Sequence, residues 1–255
     1  MAASTSTRWM IFAAGLALAL PAHAFDLGKM LKDAISKPAG QPSSPSSSVD
    51  ALSNADINAG LKEALTRGAD AAVAQLGRKD GFFGNAALRI PLPPGLQKAE
   101  KAMRMVGMGK QADELVLSMN RAAEAAVPEA KTLLVGAVKA MTLEDAKGIL
   151  TGGQTSATDF FRRKTETRLA ERFEPIVKAN TDKVGLAQAY NQYAGMAAQF
   201  NLLDKTQANV EQYVTQQALD RLYTLIGEKE AAIRANPLQT GSDLLKKVFG
   251  AVSGT

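Results

Sequence analysis

Apolar residues recur along this chain at intervals of three and four, and sustained strand-period alternation is nearly absent, which predicts helices rather than strands. The first stripe, Ile57, Leu61, Leu65, Ala69, Ala72, Val73 and Leu76, places a helix over residues 53–76. Gly60 and Gly68 interrupt it, each at a cost of about 1 kcal/mol against alanine, and close approach of a neighbouring helix is the expected compensation. Leu96, Ala99, Met103 and Val106 mark a second helix over 95–106. Residues 111–150, dense in alanine and leucine, read as two or three helices at the centre of the domain, with a break or kink near Pro128. Phe161, Thr165, Leu169, Phe173, Ile176 and Val177 line the helix after them, with a bend expected at Pro175. A face of small residues, Ala187, Tyr190, Ala194, Ala197 and Ala198, follows over 182–200. Val210, Tyr213, Val214, Leu222, Leu225 and Ile226 define a last long helix over 207–233. The predicted fold is all-α: a multi-helix bundle of about seven to nine helices with short loops.

Local signals mark where these helices begin and end. A hydroxyl followed three residues later by a carboxylate forms a capping box, and Ser53/Asp56, Thr142/Asp145 and Ser156/Asp159 fit that spacing. Thr181 is placed to cap the helix over 182–200, Gly152 and Gly153 to close the short helix before them, and Asn236-Pro237 to end the last one. Residues 78–85, RKDGFFGN, carry the sharpest turn signal, since Gly and Asn suit the left-handed conformations of tight turns. Phe82 and Phe83 are expected to tuck back onto the domain. Residues 87–94, ALRIPLPP, hold three prolines, so they form one short extended segment, near 87–93, in an otherwise helical chain.

The ends have a different character. Arg8, the apolar run over 10–20, Pro21 and Ala22-His23-Ala24 have the layout of a secretory signal peptide, with cleavage expected after Ala24. That run is shorter than the roughly 20 residues a membrane-spanning helix needs. No cysteine follows it, so the protein is not expected to be a lipoprotein; it is expected to be exported to the periplasm. Residues 25–37 are a short amphipathic segment, 38–52 a linker rich in Pro and Ser, 53–235 the helical domain, and 236–255 an amphipathic tail.

Composition then narrows the chemistry. His23 and Trp9, the only residues of their kinds, both fall within the expected signal peptide, and cysteine is absent. A chain so processed has neither imidazole nor thiol, which removes Ser-His-Asp and Cys-His catalysis, histidine zinc sites and disulfides. No metal and no cofactor is expected, and an enzyme is disfavoured. The formal charge of +5 is spread among acidic residues, which gives no basis for nucleic-acid binding. Met103, Met105 and Met108 are soft thioethers, but Met103 and Met105 diverge by about 200° on a helix and are better read as packing.

Two polar groups remain as candidate ligand- or partner-binding residues. Asn120, Arg121 and Glu124 share a helical patch by i,i+3 and i,i+4 spacing. Arg162 and Arg168 belong to a basic run in which Lys164, Arg168 and Arg172 share a face suited to an anionic partner.

Gly81-Phe82, Arg89-Ile90-Pro91-Leu92-Pro93, Met119-Asn120-Arg121-Ala122-Ala123-Glu124, Met141-Thr142 with Asp145-Ala146, Ala157-Thr158-Asp159-Phe160-Phe161 and Phe173-Glu174-Pro175 follow one another in an order that resembles the bacterial Domain of Unknown Function 4197 family. The resemblance covers roughly residues 53–233. It implies an exported, mostly helical domain and brings no catalytic residues. The leading expectation is a non-enzymatic binding or interaction protein of the bacterial envelope, its partner an envelope protein or a membrane surface. A carrier of a small apolar or amphipathic ligand is the alternative, and a carboxylate-dependent hydrolase the third reading.

Overall fold

Seven consecutive positions at i+4 spacing, Ala157, Phe161, Thr165, Leu169, Phe173, Val177 and Thr181, are all buried, and they identify the central helix. At 3.6 residues per turn, each step of four overshoots a full turn by about 40°, so the stripe winds roughly 240° around the helix. A helix buried along such a stripe is covered by different neighbours at its two ends. The computed structural model, which describes residues 53–105, 107, 109–182, 188, 190, 191, 194 and 207–236, has this arrangement.

In chain order the helices are α1 (Asn54–Leu76), α2 (Pro94–Met105), α3 (Gly109–Ala126), a 3-10 turn (Val127–Glu129), α4 (Ala130–Lys139), α5 (Leu143–Thr151), α6 (Ser156–Thr181) and α7 (Val210–Ala235). The fold is all-α, and no strand occurs among the described residues. α6 packs on α7, α3, α4 and α5, while α1 lies across α4, α5 and α7. The centre is therefore α6 rather than residues 111–150, whose helices pack against it. Described residues all fall within the unit Pro45–Thr255. The expected signal peptide, amphipathic segment, linker and tail lie outside the described residues, as does most of the expected helix over 182–200.

Most boundaries follow from local chemistry. Ser53 Oγ accepts the Asp56 N–H at 3.0 Å and opens α1. Thr142 and Asp145 form a complete capping box on α5, each side chain taking the other's backbone N–H. Pro128 ends α3 by falling within the 3-10 turn, where its missing N–H costs nothing. Pro175 is accommodated inside α6, which continues to Thr181.

Three local expectations give way to tertiary structure. Ser156 is not an N-cap: it is the first residue of α6, preceded by Thr155, whose side chain makes no capping bond. Thr181 is the last residue of α6, and its hydroxyl bonds back to the Val177 and Lys178 carbonyls instead of opening a helix. In the 78–85 turn the left-handed residue is Asp80, with φ 64°. Gly81 and Gly84 are needed there for a different reason: a Cβ would lie 2.4 Å from the Leu76 carbonyl oxygen at Gly81 and 2.7 Å from that of Asp80 at Gly84.

Phe82, Phe160, Phe161, Phe173 and Tyr223 are the largest side chains fully enclosed, each contributing on the order of 1.5–3 kcal/mol by burial. Within this apolar interior the Thr165 and Tyr223 hydroxyls satisfy each other at 2.9 Å between α6 and α7.

Candidate functional site: a clamped loop and its cleft

An extended segment with no strand beside it must find side-chain partners for its backbone, because buried unpaired carbonyls are costly. Residues 89–93 solve this four times in succession. The Arg89 carbonyl accepts from Arg221 Nη2 at 3.0 Å, Ile90 from Asn120 Nδ2 at 2.9 Å, Pro91 from the Tyr213 hydroxyl at 2.9 Å, and Leu92 from Gln97 Nε2 at 3.0 Å. The donors come from α7, α3, α7 and α2. Pro91 and Pro93 supply no N–H, and the Ile90 N–H is taken by Asn120 Oδ1 at 2.9 Å. Asn120, fully buried, thus pairs with Ile90 much as a neighbouring strand would.

The preceding turn is held by a carboxylate. Buried Glu124 accepts the Phe82 and Phe83 N–H groups through Oε1 at 3.1 and 3.2 Å, and its other oxygen meets Arg121. Arg121 reaches on to Asp80 at 2.7 Å, and these carboxylates, Glu124 foremost, raise its pKa further. The structure therefore brings Asn120, Arg121 and Glu124 together, with Asn120 and Glu124 occupied in fastening the loop to α3.

Beside the loop, α2 and α3 frame a cleft of about 270 Å³ lined by Phe83, Arg89, Pro91, Leu92, Glu100, Arg104, Asp113 and Val116. Arg104 is bound by both Glu100 and Asp113, and its bond holds the Asp113 carboxyl below the usual range. Arg89 donates Nε to the Phe83 carbonyl at 2.8 Å and lies 4.5 Å from the centre of the Phe83 ring. Sequence reasoning missed Arg89, Glu100, Arg104 and Asp113 as a group, since the loop and the two helices meet only in the folded chain. The one signal was the proline-rich segment containing Arg89.

Burial has also set Tyr213 in the neutral form, pushing its pKa up to about 12, which suits a hydroxyl that must donate to Pro91. The other predicted residues lie elsewhere. Arg162 pairs with Glu166 and Asp220 across α6 and α7 and stacks on the Tyr223 ring at 4.6 Å. Arg168 is exposed on α6 and has no ion pair among the described residues. Met105 is 83% exposed, and Met108 lies outside the described residues. No cluster of His, Cys, Asp or Glu suited to a metal ion occurs among the described residues, and no helix there is long and apolar enough to cross a membrane.

A second buried carboxylate repeats the arrangement at Glu124. Glu230 on α7 accepts the Ala157 and Thr158 N–H groups at 3.0 and 2.9 Å, and Arg234 binds it at 2.8 Å. It is the cap that α6 lacks locally, supplied from another helix.

A family model described as "Protein of unknown function (DUF4197)" matches residues 51–250. No curated protein and no solved structure matches the chain.

Proposed function

The chain belongs to the DUF4197 family, and from that premise we propose that it is a non-enzymatic binding module of the bacterial envelope, exported by its N-terminal signal sequence, that engages a protein partner through the clamped loop and its cleft. The observation that carries this reading is the clamping of four successive loop carbonyls by side chains from three helices. Loops held rigidly on a helical scaffold are where binding surfaces are built, because little ordering entropy is lost on association. Phe83 and Arg89 lie at its surface, residue types that anchor interfaces.

The other readings find less support. A carrier needs an interior space of roughly 300 Å³ or more. The apolar cavity between α1, α5, α6 and α7 measures about 30 Å³. A carboxylate hydrolase needs free carboxylates; of the three buried among the described residues, Glu124 and Glu230 are committed to backbone amides and arginines, and Glu211 accepts from Asn191 Nδ2 at 3.3 Å.

Cross-linking in intact producing cells, with a photoreactive residue at exposed Ala86 or Lys110, tests the proposal. A discrete, reproducible envelope protein recovered by mass spectrometry is the expected result. Self-links alone, or none, would overturn it.

A further inference from the structure

The cleft has two chemically distinct sides. On one, Arg104 is paired through Nε and Nη2 with Glu100 and Asp113, leaving two carboxylates to one guanidinium. On the other stands Arg89, fixed at three points: Nε on the Phe83 carbonyl, its face on the Phe83 ring, and its own carbonyl on Arg221. Neither Nη nitrogen of Arg89 has a hydrogen-bond partner among the described residues. What remains is the open edge of an immobilised guanidinium, a fork that fits a carboxylate with little entropy left to lose. The rest of the lining, Pro91, Leu92 and Val116 with the Phe83 ring, is apolar.

A ligand for this cleft must carry a carboxylate and an apolar group side by side, with an N–H facing the acidic rim. The last residue of a peptide chain has all three on one α-carbon; an internal Asp or Glu has no apolar side chain beside its carboxylate. The volume of about 270 Å³ lies just below the range of whole drug-sized ligands, which suits a single residue. Resting on the binding function proposed above, we infer that the cleft captures the C-terminal residue of its partner, an apolar residue whose free carboxylate pairs with Arg89 and whose amide N–H faces Glu100 and Asp113.

The test is titration calorimetry of the purified full chain with N-acetyl-Ala-Ala-Leu, its C-terminal amide, and free leucine. The free-acid peptide should bind at least about tenfold more tightly than the amide, the usual margin for a charge-assisted bidentate contact. Arg89→Gln should erase that difference while circular dichroism stays unchanged. Equal binding of acid and amide, an acid preference surviving Arg89→Gln, or no binding of either peptide at about 1 mM would each overturn the inference. Free leucine binding as well as the peptide would overturn the chain-end assignment in favour of a free amino acid. A cross-linked partner combined with equal binding of acid and amide would sink this inference alone; absence of any partner would sink the function it rests on.

Discussion

Glu230 joins helices whose contacting residues stand 73 positions apart in the chain, and removing its carboxylate should show how much that junction contributes. In Glu230→Ala the Ala157 and Thr158 N–H groups lose their acceptor, and Arg234, 17% exposed, loses its counter-ion. Arg234 keeps its bonds to the Ile149 carbonyl and the Ser156 hydroxyl, which soften the loss. Breaking a buried pair while leaving the other charge in place costs about 3–5 kcal/mol. For a domain of this size that corresponds to a fall of roughly 6–20 °C in Tm. Urea unfolding followed by circular dichroism measures it as a shift in midpoint at unchanged slope. The double variant Glu230→Leu/Arg234→Leu removes the orphaned charge, so it should recover part of the loss. What remains, on the order of 1–2 kcal/mol, belongs to the two uncapped amides. Lys131→Ala, which breaks an exposed pair with Asp70, is the control and should cost less than about 1 kcal/mol. If Glu230→Ala cost no more than this control, the cross-helix cap would be an incidental contact and the reasoning would fail.

Other outcomes follow from the same contacts. Asn120→Asp keeps an acceptor for the Ile90 N–H but sets a carboxylate against the Ile90 and Val116 carbonyls in a fully buried position; a loss of about 2–4 kcal/mol is expected, with faster proteolysis at residues 85–93. Gly136→Ala and Gly148→Ala meet open space within helices and should each stabilise by about 0.5–1 kcal/mol, whereas Gly81→Ala should destabilise because its Cβ would strike the Leu76 carbonyl. Burial raises Tyr213 and Tyr223 to about 12, above the unfolded value near 10, so the stability tied to their neutral forms is complete below pH 10 and is lost as pH rises towards 12. Absorbance at 295 nm should show both hydroxyls still protonated at pH 11 in the native state, and ionisation of all tyrosines near pH 10 would contradict it.

Much of this architecture is legible in the sequence because helix periodicity and caps are local. The Thr142/Asp145 box and the break at Pro128 depend on residues a few positions apart and form as their spacing predicts, and at Ser53 the side chain caps through the Asp56 N–H. The patch Asn120, Arg121, Glu124 was legible as a unit for the same reason. Its contacts were not, because Ile90 is 30 residues from Asn120 and Phe82 is 42 from Glu124. Arg104 illustrates the limit well: Glu100 is its i,i+4 neighbour and readable, while Asp113 reaches it only after α3 folds back along α2.

What the sequence determined alone was the all-α class, most helix boundaries and the apolar faces, since a stripe of Leu, Val, Phe and Ala at helical spacing has one sensible conformation wherever it is placed. Only the tertiary structure decided which carboxylates became buried caps. Glu124 and Glu230 each sit three or four residues from an arginine, as Glu63 does from Arg67 on the exposed side of α1. Local spacing treats the three alike. The difference lies in what packs against them, a turn at Glu124 and the bare N-terminus of α6 at Glu230, whose backbone N–H groups supply the partners that buried oxygens need.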